Sequence, residues 1–191
     1  MSLILAISGP AAVGKTTICE RLINEFGEEL SRLITATTRP PRAFEENGVD
    51  YYFLSNSEFD NKLSMDSFLE HEIIHGNKYG ILKQTILDAQ CRKIDILLNI
   101  DVNGSASLRR FCEKKHELKG RLKTIFIKPR NLDDLTLRMR RRASETEEQM
   151  KIRIANAESE ILREGEFDYV FESSDRETDY QKVKEFYLRI K

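Results

Sequence analysis

Short apolar runs alternate with longer charged segments along this chain, and the two kinds of segment carry different periods. Leu3 to Ser8 is an unbroken apolar run that stops at Gly9, the pattern of a strand buried on both faces. Lys15 to Phe26 then places Ile18, Leu22 and Phe26 at helical spacing, with Glu20, Arg21 and Glu25 between them, which predicts an amphipathic helix. Ile94 to Ile100 and Lys123 to Ile127 repeat the strand pattern, and Asp168 to Phe171 gives a last strand. Buried strands separated by helical segments predict an α/β fold with a parallel core sheet. No internal repeat, low-complexity stretch or flexible linker interrupts it.

Two segments break this rhythm. Thr35 to Lys83 carries Pro40, Pro41, Gly48, the aromatic run Tyr51-Tyr52-Phe53 and a second turn at Gly76-Asn77, and is expected to be an insert with strands of its own. Asn131 to Arg163 reads as charged helices with an arginine-dense middle at Arg138, Arg140, Arg141 and Arg142, expected to form a mobile flap. At 191 residues the chain suits one core better than two. With 31 basic and 32 acidic side chains there is no broad single-signed field to hold nucleic acid or a membrane, so any basic site must be local. Cys19, Cys91 and Cys112 lie far apart without metal or redox spacing, and the apolar start is too short for a signal segment. A cytoplasmic protein with reduced thiols is the expectation.

Gly9 to Thr16 reads GPAAVGKT, which satisfies G-x-x-x-x-G-K-S/T between a strand and a helix, the context that this pattern requires. Gly9 and Gly14 let the backbone turn its N–H groups inward onto phosphate oxygens. Lys15 would bridge the β- and γ-phosphates of a nucleoside triphosphate, and Thr16 would bind magnesium through its hydroxyl. The helix that follows directs its positive end at the anion.

A phosphate loop does not name the acceptor. Arg39 and Arg42 flank two prolines in TTRPPR, a stiff segment that presents two forked donors either to a phosphate or to solvent. His71 to His75 reads HEIIH, the pattern of zinc proteases, but Ile73, Ile74 and the turn at Gly76-Asn77 favour a strand. There the histidines would stand about 13 Å apart, and the remaining histidine is His116; a zinc site is not expected.

Taken in order, GPAAVGKTT, TATTRPPR, GVDYYFLS, FLEHEIIHGNKYG, ILLNIDVNG and SETEEQMKIRIANAESEI resemble the guanylate kinases over nearly the whole chain. The resemblance implies transfer of the γ-phosphoryl group of ATP to GMP, and also to dGMP, with Mg2+, within a P-loop NTPase-type three-layer fold. It implies a core (1–34, 84–130 and 155–191), a mixed-β GMP-binding insert (35–83) and a helical lid (131–154). The ATP contacts implied are Gly9, Pro10, Ala11, Ala12, Val13, Gly14, Lys15, Thr16 and Thr17. For GMP they are Arg39, Arg42, Tyr51 and Tyr79 on the phosphate, Glu70 on the base, Thr35 beside the base, and Asp101 near the lysine and metal. Arg138, Arg142 and Arg153 would neutralise the transferring phosphoryl group.

Three positions depart from the family pattern: Ile81 stands where a serine or threonine gives a second bond to guanine, Asn99 where an aspartate is common, and Ser173 where an asparagine touches adenine. A guanylate-kinase-like binding module without catalysis, or a sugar-bisphosphate kinase sharing the loop, are the alternative functions. The intact Lys15 and Thr16 speak against the first, and Glu70, idle with a sugar acceptor, against the second.

Overall fold

The computed structural model describes residues 2–74, 76–141 and 147–191. The chain runs β1 (Ile4–Ser8), α1 (Lys15–Phe26), β2 (Leu30–Arg32), β3 (Ala36–Thr37), β4 (Tyr52–Phe53), α2 (Asn56–Ser64), β5 (Phe68–Ile74) and β6 (Asn77–Leu82). It continues through α3 (Lys83–Arg92), β7 (Asp95–Asn99), α4 (Val102–Lys114), β8 (Leu122–Lys128), α5 (Leu132–Arg141), α6 (Glu147–Ile161), β9 (Tyr169–Glu172) and α7 (Arg176–Ile190). The helix and the strands expected from the apolar periods stand within one or two residues of their predicted bounds. The three-residue β2, with two of its residues exposed, is too short to leave a period in the sequence.

Strands β2, β7, β1, β8 and β9 form, in that order, a sheet whose neighbours are all parallel. Alternation along β1 divides the core. Leu5 and Ile7 pack with Ile18 and Leu22 of α1, Leu135 of α5, Ala157 of α6, and Val183 and Tyr187 of α7. Ile4 and Ala6 pack on the other side with Ile86 of α3 and Leu108 of α4. Helices therefore cover both faces, which is why β1 is buried at every residue and reads as continuously apolar.

Residues 35–83 form their own four-stranded sheet, β4-β3-β6-β5, with an antiparallel β5–β6 pair. It closes over a small cluster in which Phe59 of α2 stacks on Phe68 at 4.3 Å. Helix α2 is fixed by a reciprocal capping box between Ser55 and Glu58. Residues 71 to 74 are strand, so the HEIIH run has no helical spacing there; His75 lies outside the described residues. Among the described residues the expected flap holds two helices, α5 and α6; α6 runs on to Ile161, past the lid bound at 154, and its Ala157 packs into the core.

The C-terminal helix is tied to the middle of the sheet. Asp95, 7 % exposed, accepts the backbone N–H of Leu3 at 2.6 Å and the hydroxyl of Tyr187 at 2.8 Å. Burial, with the hydrogen bond to and charge of Asp95 behind it, pushes the Tyr187 hydroxyl pKa upward. Tyr187→Phe leaves that buried carboxylate short of a donor and is expected to cost about 1–3 kcal/mol. Urea unfolding should show a lower midpoint at unchanged slope; an unmoved midpoint would contradict this role.

Candidate active site

The phosphate loop leaves β1 through three left-handed backbone positions, Gly9 (φ 137°), Ala12 (φ 65°) and Gly14 (φ 116°). Val13 N–H closes the turn onto the Pro10 carbonyl at 3.3 Å. Gly14 is the N-cap of α1 and no side chain caps the helix, so the N–H groups of its first turn suit an outside acceptor. The Lys15 ammonium folds back over the loop, donating to the carbonyls of Gly9 and of Pro10, the latter at 3.0 Å. Thr16 is exposed at the helix start, with the Asn99 amide nitrogen 3.3 Å from its hydroxyl. Asn99 thus supplies a neutral contact where an aspartate would add charge.

Beside the loop, between the two sheets, lies a cavity of about 790 Å³ lined by Thr35, Tyr51, Glu70, Tyr79, Asn99 and Asp101, among others. Strand register explains why these meet. Glu70 pairs with Ile81, and Glu72 with Tyr79, across the β5–β6 ladder, so all four point to one face. A register shift between Phe68 and Glu70 lets Phe68 fill the insert's cluster while Glu70 turns to the cavity. Tyr52 N–H donates to Thr35 O at 2.9 Å, which sets Thr35 beside Tyr51. The Tyr51 and Tyr79 rings meet edge to face at 6.2 Å, and the Arg39 guanidinium lies 5.4 Å over Tyr51.

Arg39 is held from behind. One of its terminal nitrogens donates to both Glu45 oxygens at 2.8 and 2.9 Å, and the other to the Pro40 carbonyl at 2.8 Å. Glu45 also accepts the Arg42 backbone N–H at 2.8 Å, and these bonds, that of Arg39 foremost, hold its carboxyl below the usual range. The Arg42 side chain is exposed beside this pair.

Glu70 is in the opposite condition. Burial, with the charges of Asp101 and Glu72 behind it, pushes its carboxyl up to about 7. It lies against Gly104 of α4, where a Cβ would sit 2.1 Å from the carboxylate oxygen. Asp101 caps the same helix, accepting Gly104 N–H at 2.7 Å, so it is both cavity wall and the anchor of the backbone under Glu70. Ile81, in the place of a hydroxyl residue, is buried in the core against this wall.

Arg138 approaches the Val13 carbonyl at 3.4 Å and the Ser173 hydroxyl at 3.5 Å, on the β9 side of the loop. Arg153 is exposed on α6, one turn before Ala157, which packs in the core cluster that includes Val13. Arg142 lies outside the described residues, and Arg140 is exposed. Sequence reasoning missed Glu45, Gly104 and Glu160. Burial raises the Glu160 pKa against the pull of nearby Lys15, and its Oε2 has no hydrogen-bond partner among the described residues.

Ionising Glu70 opposes folding. The stability linked to it is complete below the ordinary value of 4.5 and is lost as pH rises through about 7. Glu70→Gln should therefore raise Tm over the wild type by a margin that grows between about pH 5 and about pH 8. A margin that stays constant across that range would refute the assignment. A methyl at Gly104 would also meet Ile100 Cγ1 at 2.4 Å, so Gly104→Ala should lower Tm in both backgrounds but less in Glu70→Ala, where only the Ile100 contact remains; equal losses in both would show that the Glu70 contact adds nothing.

The family model described as guanylate kinase matches residues 1–189. The guanylate kinase of Chlorobaculum tepidum is 36 % identical over 90 % of this chain and 85 % of its own length. That of Rickettsia bellii is 34 % identical over 98 % and 94 %. The crystal structure of guanylate kinase from Anaplasma phagocytophilum superimposes with a TM-score of 0.66 at 27 % identity, covering 99 % of this chain and 85 % of that one. A match that runs from end to end, over a fold and a loop of this kind, leaves one assignment: the chain belongs to the guanylate kinase family.

Proposed function

We propose that this protein transfers the γ-phosphoryl group of ATP to the phosphate of GMP, with dGMP as a second acceptor, giving ADP and the nucleoside diphosphate. The observation that carries the reading is Glu70, a carboxylate set in the wall of a cavity whose far end is bounded by Asn99 beside Thr16. Guanine presents N1–H and an exocyclic amine along one edge, and one carboxylate accepts from both. Adenine presents an acceptor there and would leave the carboxylate unpaired, at a cost of about 1–3 kcal/mol or more. Arg39, Tyr51 and Tyr79 stand together as donors for the acceptor phosphate, with Arg42 on the same loop.

The first turn of α1 and Lys15 receive the donor phosphates. The reaction then needs in-line alignment and charge neutralisation rather than a covalent intermediate. Arg138 on α5 and Arg153 in the middle of α6, together with Arg142, supply positive charge to the transferring phosphoryl group, while the second sheet acts as the GMP-binding insert. Among the described residues no group of three acidic, cysteine or histidine side chains could hold a metal unaided. The exposed Thr16 hydroxyl suits an ion that brings its own water and phosphate oxygens, with Glu160, whose Oε2 has no partner among the described residues, in the same charged neighbourhood as Lys15 and Asp101. Thr16 would help hold Mg2+ brought in with ATP, which would supply positive charge to offset the charge that develops on the phosphates. No helix among the described residues is long and apolar enough to cross a membrane, and Cys19, Cys91 and Cys112 are all free thiols; we take the cytoplasm as the setting.

The test is ADP production with GMP, dGMP, AMP, UMP and ribose bisphosphate as acceptors; absence of GMP-dependent turnover would sink the proposal. Lys15→Ala should lower kcat by about a hundredfold or more while the folded state persists by circular dichroism. Glu70→Gln should raise KM for GMP far more than KM for ATP. Because base reading needs the ionised carboxylate, kcat/KM for GMP should rise with pH through about 7 in the wild type, and this limb should vanish in Glu70→Gln.

A further inference from the structure

The corner between β9 and α7 contains a buried carboxylate that the chemistry above does not use. Asp179, in the first turns of α7, is 4 % exposed. It accepts the Ser173 hydroxyl at 2.6 Å, the Ser174 backbone N–H at 2.8 Å and the Ser174 hydroxyl at 3.3 Å. Burying a carboxylate is costly, and here all three bonds go to two residues of one loop. Ser173, 2 % exposed, is fixed again by its backbone N–H on the Lys128 carbonyl at 2.8 Å. Since its one hydroxyl proton goes to Asp179, Ser173 can offer only lone pairs to anything else. A guanidinium nitrogen of Arg138 approaches that oxygen and the Val13 carbonyl together, so the accepting side of Ser173 looks toward the phosphate loop.

Sheet order says which substrate reaches this corner. In the order β2-β7-β1-β8-β9 the phosphate loop ends the central strand, and the acceptor cavity lies at the end of β7, against Asn99 and Asp101. In-line transfer turns the γ-phosphate toward the acceptor, so the donor's nucleoside extends the other way, over β8 and β9. We infer that Asp179 is a specificity-determining positioning residue for the donor base: by taking the Ser173 proton it presents Ser173 as an acceptor, matched to the exocyclic amine of adenine and mismatched to the O6 carbonyl that guanine carries in its place. The inference rests on the kinase reading above and concerns its donor side.

Asp179→Asn tests it. The Ser174 backbone N–H cannot turn away, so the amide oxygen must face it, which puts the amide nitrogen against Ser173 Oγ. That nitrogen occupies the lone pair and releases the hydroxyl proton toward the donor site. With GMP as acceptor, the ratio of kcat/KM for ATP to that for GTP should fall about tenfold, the value of one mispaired hydrogen bond, while KM for GMP stays constant. Equal losses for the two donors, as from a merely structural role, or an unchanged ratio would overturn the inference. If thermal melts show that Asp179→Asn does not fold, Ser173→Ala removes the acceptor with Asp179 intact and should lower the same ratio; no change there overturns it as well. Equilibrium binding of non-hydrolysable ATP and GTP analogues gives the ratio without turnover. Loss of GMP-dependent turnover in the wild type would therefore count against the kinase reading, and the binding ratio would still decide this one.

Discussion

Gly9 leaves β1 at a φ of 137° with its backbone pressed on β8, so close that a Cβ would lie 2.4 Å from the Ile127 carbonyl oxygen and 3.2 Å from the carbonyl carbon. No side chain can stand there, because the obstacle is backbone and cannot swing aside. That contact brings the phosphate loop down onto the middle of the sheet and so places the start of α1 over the carboxyl ends of β7, β1 and β8. From that placement follow the neighbours of the loop: Asn99 and Asp101 at the end of β7 on one side, Ser173 past the end of β9 on the other. Ligands of open parallel sheets gather along this edge, and here both halves of a two-substrate reaction are spaced from one central anion site.

Charge is arranged asymmetrically about that centre. The loop side gathers positive potential from Lys15 and the α1 terminus, whereas the cavity wall crowds Glu70, Glu72 and Asp101 together. A carboxyl shifted from 4.5 to about 7 is one that folding has placed against its own ionisation, since each pKa unit corresponds to about 1.4 kcal/mol. Packing keeps it there: the β5 register shift aims Glu70 inward and the absent side chain of Gly104 gives it room. In the proposed reading, the two donors of a guanine edge would replace the solvation that burial takes from the ionised Glu70, and a ligand without those donors would not. Glu72, raised by burial and by Asp101, lies farther out on the same face and shares this cost.

Much of the architecture was legible in the sequence because it rests on short-range pattern. Continuous apolar runs mark strands covered on both sides, and the helix from Lys15 to Phe26 is found at those bounds. The strand reading of HEIIH followed from Ile73, Ile74 and the turn after them. The glycine loop is legible for the same reason, its constraint lying in neighbouring residues. What escaped depends on approach between distant segments. Glu45 looks like any surface acid until Arg39 is seen on it. Gly104 lies inside ILLNIDVNG, yet its contact with the cavity wall depends on a residue 34 positions earlier, Glu70, being folded onto it. Asp179 is one of several acids at a helix start, and nothing local distinguishes it from Glu177, which is exposed. Strand β2 carries too little period to register, and its place follows from Leu30 pairing with Asp95.

The two cationic ends of the site are both partnered in advance, in different ways. Lys15 lies on the carbonyls of its own loop, which are neutral, so exchanging them for phosphate oxygens gains a full charge interaction in a partly enclosed site. Arg39 lies on a carboxylate, with only 17 % of its side chain and 16 % of that of Glu45 exposed. A negative partner beside an incoming phosphate is repulsive, which would argue against keeping it if affinity alone mattered. But both Glu45 oxygens share a single terminal nitrogen of the guanidinium, and Pro40 takes one bond from the other, which leaves donors of the fork for a ligand. An arginine side chain carries about 2 kcal/mol of rotamer entropy, and Glu45 removes that freedom before the substrate arrives. With its guanidinium 5.4 Å over the Tyr51 ring and pinned from behind, Arg39 would meet an acceptor phosphate bound as proposed above in a set direction, and in a reaction that consists of alignment and charge, direction is worth more than the last increment of binding.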